Sequence, residues 1–396
     1  MDNLSAASSS GSEEIIKLLT PFAAAADRSQ CAALDWCEVW NFCSFHGVRP
    51  ALSQALVGLE QSCSPPASMT ADLAEFMRVH SFRVMHKTAE IVALSQALEA
   101  TGIQATFFKG AVLGEQVFGG AHQREFNDID LLVNTSQRET AADLLEEFGY
   151  RPIVGDRLFR QAFFDYAGQH MFRHVETGSV VDLHWHLVGD QHFPVSDEDV
   201  LRNSTILQLG GAQVPVPCRE DLALILAGHG QKEGWASFGW ALDFAKFAAR
   251  YPDFDWTRAA YLAQAKRSSR SMLTAMLLIE RLFGHVIDEA LVATARDQRR
   301  IIQDVERIIA GYPALFKRRI EDDLMGSFRL CETPFQQGKV WWGLLATRTI
   351  GDYDALPLPP RWWWVYRFTR PFRLVWQKIR GVTQRPSAFF EEQRKS

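Results

Sequence analysis

Phe107-Phe108-Lys109-Gly110-Ala111-Val112-Leu113 and, beyond Arg124, Asn127-Asp128-Ile129-Asp130-Leu131-Leu132-Val133 are the stretch that decides how this chain folds. The apolar run 105–108 reads as a strand, Lys109-Gly110 as a turn, and Ala111 to Phe118 as a short helix ended by Gly119-Gly120. Asp128 to Val133 reads as a second strand. Strand side chains alternate faces, so Asp128 and Asp130 share one face while Ile129, Leu131 and Val133 enter a core. Two carboxylates on one face repel each other, and a divalent cation between them removes the repulsion. A strand that ends in Lys-Gly and opens a helix offers backbone N–H groups and a positive helix end to a phosphate. Arg124 adds a fork of donors for phosphate oxygens.

A second stretch repeats the alternation. In Val180-Val181-Asp182-Leu183-His184-Trp185-His186-Leu187, residues Asp182, His184 and His186 are expected on one face and Val181, Leu183, Trp185 and Leu187 on the other. Asp182 would complete a set of three carboxylates able to hold Mg²⁺ or Mn²⁺ through oxygen, with positions left for water and a substrate phosphate. Two ions in such a site could activate an attacking hydroxyl and stabilise a leaving pyrophosphate. His184 and His186 would then be outer donors, proton shuttles or metal ligands, or simply the polar lining of a wet cleft.

Outward from these strands the chain reads as helical. Residues 13–64 carry helical spacing, Ser62 to Ser68 breaks it, and a long helix follows from Met69 to Ala100. The inward positions of that helix are Leu73, Phe76, Met77, His80, Val84, Ile91, Leu94 and Leu98. Ser136 to Phe148 is expected as a helix, with Ser136 and Glu139 forming a capping box. Phe159 to Tyr166, His170 to Val175 and Ser179 to Val188 read as strands, the last two joined at Glu176-Thr177-Gly178. Helices are expected again at Asp221 to Gly228, Trp235 to Arg250, Thr257 to Phe283 and Ala290 to Ala310. The expected fold is therefore α+β. A disordered tail (1–12) and an N-terminal helical region (13–100) precede a small mixed-sheet core (101–200). A C-terminal helical region (201–335) and an aromatic, basic tail (336–396) follow.

Composition narrows the function. The 396 residues are 47% apolar and 22% charged, enough for a sizeable core and too apolar for a wholly disordered chain. A net charge of −5 argues against a general nucleic-acid binder. No window approaches 18 uninterrupted apolar residues. The six cysteines (Cys31, Cys37, Cys43, Cys63, Cys218, Cys331) include no CxxC pair, so a structural zinc site is not expected. With no export signal at Met1 to Ser12, free thiols point to the cytoplasm. The 12 Trp are concentrated in the tail, where Trp341, Trp342, Trp362, Trp363, Trp364 and Trp376 lie. Between Arg361 and Arg380 there are six cations and no acid. Such a segment can pack on the helical part, lie on an anionic membrane surface or stack on nucleic acid. Pro371 is expected to break any helix there, leaving it too short for a strong anchor.

Taken together, these residues resemble the DNA polymerase beta-type nucleotidyltransferase superfamily, and within it an uncharacterised bacterial nucleotidyltransferase family. The resemblance covers about residues 70–390 and rests on Lys109-Gly110, Arg124, Asp128-Ile129-Asp130-Leu131 and Asp182-Leu183-His184-Trp185. His229-Gly230, Lys232, Trp235, Trp240, Asp243 and the tail segments Leu356 to Pro359 and Arg370-Pro371 extend it. It implies that Asp128, Asp130 and Asp182 hold metal and that Asp182 helps the attacking hydroxyl. Lys109, Gly110 and Arg124 would hold the triphosphate of an NTP, most simply ATP, whose nucleotidyl group passes to a hydroxyl of an unidentified acceptor. His229, Lys232 and Asp243 are candidates for support around the site, with Lys232, His229 or Lys246 as expected partners of Asp243. Trp185, Trp235 and Trp240 are expected as walls. The usual first motif of the superfamily carries Gly-Ser or Gly-Gly, whereas Ala111 follows Lys109-Gly110 here, without a hydroxyl. A catalytically silent nucleotide-binding module and a toxin-like nucleotidyltransferase acting on RNA or protein are the alternative readings.

Overall fold

The structure, a computed structural model, describes residues 13–22, 34–57, 65–153, 161, 164, 168–187, 193–312, 328, 331–346 and 348–380. A five-stranded mixed sheet in the order β1-β2-β5-β4-β3 positions the site. Its strands are β1 (Ala105–Phe107), β2 (Asp128–Val133), β3 (Tyr150–Pro152), β4 (Gln169–His174) and β5 (Val180–His184). β2 and β5 run parallel, with Ile129 beside Val181, Asp130 beside Asp182 and Leu131 beside Leu183. The pleat then sorts the side chains. Ile129, Leu131, Val133, Phe172, Val181 and Leu183 enter one core. Asp128, Asp130, Asp182 and His184 lie on the other face, which farther along β2 closes with Leu132 into a second core.

Helix α3 (Ala67–Ala100) covers the first face through Val84, Ile91, Leu94 and Leu98, together with Ala141, Ala142 and Leu145 of α5 (Arg138–Glu147). Between β1 and β2 the chain makes one helical turn, α4 (Gly110–Leu113), continues as a π turn over Gly114–Phe118, and stops at Gly119 with φ +82°. The second core is helical. It joins α1 (Trp36–His46) and α2 (Arg49–Leu56) to α7 (Arg219–Lys232), α8 (Phe238–Arg250), α9 (Trp256–Ala265) and α10 (Ser269–Phe283). Helices α11 (Glu289–Arg296) and α12 (Arg299–Gly311) complete it. Among the described residues no helix is long and apolar enough to cross a membrane, and Cys37, Cys43, Cys218 and Cys331 form no disulfide with one another.

Several elements differ from expectation for local reasons. Ser136 does not cap α5. Asn134 accepts the Ser136 backbone N–H and hydroxyl, a 3-10 turn over Thr135–Gln137 intervenes, and the helix starts at Arg138. The stretch 257–283 is two helices because Arg267 takes φ +56° between α9 and α10, and 290–310 divides between α11 and α12. Trp235, at φ +51°, lies before α8 and not within it. Within the region expected to be helical, after the short helix α6 (Asp197–Arg202), β6 (Thr205–Leu209) and β7 (Ala212–Val216) form a hairpin. Gly210 and Gly211 turn it, both at positive φ, as a two-residue hairpin turn requires. The strand expected over 159–166 lies largely outside the described residues, and Gln161 and Phe164 are helical.

Candidate active site

The cleft begins with Lys109-Gly110. Gly110 has φ +54°, and a Cβ there would lie 3.1 Å from the Asp128 carbonyl oxygen and 3.2 Å from the Phe126 ring. Only glycine combines that backbone angle with that approach of two segments. The turn sets Lys109 half-buried over the carboxylates, its Nζ 3.8 Å from Asp130 Oδ1 and 3.5 Å from His229 Nδ1. Lys109 and His229 thus meet although 120 positions separate them in sequence.

Asp130 and Asp182 stand side by side on β2 and β5. His184, two residues along β5, reaches both, with Nε2 3.4 Å from Asp130 Oδ1 and 3.3 Å from Asp182 Oδ2. One ligand atom from each of the three lies within 4.8 Å of the others, and all three side chains are buried. Burial alone would lower the His184 pKa, but the Asp182 charge and the close approach of both carboxylates raise it above the ordinary histidine value. Asp128 is raised, first by burial and then by repulsion from Asp130 and Asp182. For Asp130 burial pulls upward, yet Lys109 and His184 hold it below the usual carboxylate range. Burial and like charge raise one acid while the neighbouring cations lower the other, the pattern that carboxylates crowded beside cations produce.

A divalent cation fits this set. The donors are two carboxylates and an imidazole, with Asp128 a third acid on the same face. Among the described residues Asp182 Oδ1 is buried without a hydrogen-bond partner, so an acceptor stands ready for a ligand. Asp182 Oδ2 is held by Gln169, which donates from Nε2 at 2.8 Å.

Arg124 and Asp243 form one wall. Arg124 donates from Nε and Nη2 to the two Asp243 carboxylate oxygens, both at 2.9 Å. The expected partners of Asp243 (Lys232, His229 and Lys246) are therefore corrected to Arg124, whose fork is turned to Asp243. His80, a buried polar residue of α3, donates from Nε2 to the Arg124 carbonyl at 3.0 Å and fixes that segment. Beside the pair lies a cavity of about 110 Å³ lined by Arg124, Asp243, Glu125, Trp240, Phe118 and His46, among others.

The remaining candidates divide. His229 stands edge-on to Trp240, with ring centroids 5.3 Å apart. Gly230 is explained by Trp235, because a Cβ would lie 2.5 Å from that indole. Trp235 and Trp185 are wholly buried in the two cores, so they support the walls without lining the cleft. Lys232 lies 3.8 Å from Glu233. His186 does not join Asp182, because β5 ends at His184; its Nδ1 pairs with Asp197 at 2.8 Å on a partly exposed surface. Two residues escape a motif reading. Gln169 sits opposite His184 on β4. Lys87 donates to the Asn127 carbonyl (2.9 Å) and the Ser179 hydroxyl (3.3 Å). Lys87 had a signal, since it falls between Val84 and Ile91 on the inward stripe of α3.

No curated protein matches the sequence. Two solved structures align with part of it. The antibiotic-resistance factor ANT(2'')-Ia aligns with TM-score 0.34 and 12% identity over 48% of this chain and 96% of that one. An antigenic nucleotidyltransferase-like protein from Paracoccidioides brasiliensis aligns with TM-score 0.29 and 16% identity over 55% and 91%. The profile of the uncharacterised nucleotidyltransferase family matches residues 32–284, which span the sheet, the Lys109-Gly110 turn and both sides of the cleft. The chain belongs to that family of nucleotidyltransferases.

Proposed function

We propose that the protein is a metal-dependent nucleotidyltransferase that moves a nucleoside monophosphate from an NTP, most simply ATP, to a hydroxyl of an acceptor. The observation that carries this reading is the convergence of Asp130, Asp182 and His184 beneath Lys109 in a chain of this family. Asp130, Asp182 and Asp128 would hold Mg²⁺ or Mn²⁺, with His184 as a further ligand or as the cation that bridges the carboxylates between turnovers. The ion, when bound, supplies charge to neutralise the phosphates and lower the pKa of the attacking hydroxyl.

The protein's own groups do the rest. Lys109 and the backbone of the Gly110 turn bind the triphosphate, and Arg124 adds positive charge from the wall while Asp243 fixes its plane. Asp182 Oδ1 accepts the acceptor's proton. The acceptor oxygen bonds to the α-phosphorus, the α–β phosphoanhydride bond breaks, and pyrophosphate leaves carrying its electron pair. Gln169 orients Asp182, and His229 with Trp240 borders Lys109. Residues 101–200 form the catalytic core in this proposal, with helical regions around it, working in the cytoplasm.

The test is incubation of the full chain with α-phosphate-labelled ATP, Mg²⁺ and a panel of hydroxyl acceptors, following label transfer and pyrophosphate together. Transfer by the wild type and its loss in Asp182→Asn are expected. Nucleotide binding without transfer to any acceptor would make the protein a binding module and overturn the reading.

A further inference from the structure

The C-terminal segment builds a small unit of its own. It comprises α13 (Pro334–Ala346), α14 (Ile350–Ala355), a 3-10 turn over Pro360–Val365 and α15 (Tyr366–Arg380). Its core is Tyr353, Trp363 and Tyr366 with Leu358. The Tyr366 hydroxyl donates to the Leu356 carbonyl and accepts from the Leu358 N–H, and Trp363 Nε1 donates to the Leu358 carbonyl. α15 continues through Pro371, contrary to the break expected there.

The orientation of α15 is the reverse of a surface helix in a water-soluble fold. Its inward face carries Tyr366, Arg370 and Arg373, and both arginines donate to the buried Asp352 carboxylate at 2.8 Å. Its outward face carries Phe368 (62% exposed), Phe372 (78%) and Trp376 (55%) at helical spacing, with Val375 beside them, and Trp364 (58%) of the preceding 3-10 turn continues the row as a stripe. Trp362 stacks with Trp364, and Trp364 meets Phe368 edge-on, so the rings form one continuous surface. Trp341 and Trp342 add exposed indoles on α13, which packs against α15. A contiguous apolar patch of this kind marks a docking surface.

Charge and ring type select the occupant. Arg361 and Arg367 are exposed beside the stripe, and no acid occurs from Arg361 to Arg380. The exposed rings are chiefly Trp, the side chain that prefers the boundary between headgroups and acyl chains. At 15 residues α15 is about 22 Å long, too short to span a hydrocarbon layer of about 30 Å but suited to lie along its surface. We propose that the α15 stripe docks on the surface of an anionic phospholipid bilayer, making the protein membrane-peripheral through its C-terminal unit.

The experiment uses the full chain and sedimentation with phosphatidylcholine vesicles, with and without about one third phosphatidylserine. The anionic vesicles are expected to sediment the wild type, and salt should weaken binding. Trp364→Ser/Phe368→Ser/Phe372→Ser should lower the bound fraction at least about tenfold while circular dichroism is unchanged, because the three rings are exposed. Arg361→Gln/Arg367→Gln should remove the preference for phosphatidylserine. Equal partition of wild type and the triple variant overturns the proposal. So does concentration-dependent dimerisation in analytical ultracentrifugation that only the triple variant loses, which would assign the stripe to a second copy of the chain.

Discussion

Replacing Asp243 by Asn removes one charge from the buried pair that fixes the Arg124 segment. Arg124 then keeps its guanidinium in the interior, facing an amide where two carboxylate oxygens stood at 2.9 Å. With charge centres about 4 Å apart and an effective dielectric near 20, the lost attraction is about 4 kcal/mol. Breaking a buried pair from one side costs about 3–5 kcal/mol, because the stranded charge has left water. Asp243→Asn should therefore lower the unfolding free energy, measured by urea titration, by about 3–5 kcal/mol. The double variant Arg124→Met/Asp243→Leu removes both charges and should recover most of that loss. NTP affinity should fall in both variants, since each loses the ordered Arg124 wall. A loss below about 1 kcal/mol in Asp243→Asn would refute the reasoning, as would a double variant less stable than either single one.

Gly110→Ala forces a side chain into φ +54° and toward the Asp128 carbonyl; a stability loss of about 1–2 kcal/mol from the backbone angle alone, with weaker NTP binding in a fluorescence titration, is expected. Gly230→Ala drives a methyl into Trp235; a loss of about 1–3 kcal/mol in thermal unfolding is expected, partly relieved when Trp235→Leu is added. His46 accepts the Phe238 N–H at Nδ1, and its Nε2 faces the Tyr312 carbonyl at 3.4 Å, so the folded ring is neutral. Burial holds its pKa down at about 4 against an ordinary 6.5. Its contribution is complete above pH 6.5 and falls toward about pH 4 as the unfolded chain takes up a proton that the folded ring refuses, about 3 kcal/mol across the interval. His46→Asn should flatten the curve of unfolding free energy against pH there; parallel curves for the two proteins would count against it.

What the sequence made legible was whatever alternation or a single glycine dictates. Asp128-Ile129-Asp130-Leu131 on one strand and Asp182-Leu183-His184 on another fall on the expected faces, since a period of two leaves one arrangement that buries the isoleucine and leucines. Gly110 is legible because no other residue meets both its angle and its approach to β2. Pairings across long separations were not legible. Arg124 and Asp243 lie 119 residues apart, and the choice between Arg124 and the nearer lysines is made by how α8 packs on the chain before β2. His186 was misplaced because alternation holds only while the strand lasts, and β5 ends at His184. Gln169 carries no motif, and only its register opposite His184 brings it to Asp182. The tail was legible as aromatic and basic, but that α15 turns its arginines inward depends on Asp352, a single buried acid on α14.

In the proposed function Asp130 and Asp182, with Asp128 beside them, gather a divalent cation with the nucleotide. Titration of Mn²⁺ and ATP onto the full chain, followed by electron paramagnetic resonance of the free ion, tests it directly. The wild type should remove Mn²⁺ from solution in the presence of ATP, and Asp130→Ala and Asp182→Ala should each weaken that binding by at least about a hundredfold, beyond the range set by supporting residues. Mn²⁺ binding of equal strength in the wild type and both variants would contradict the account.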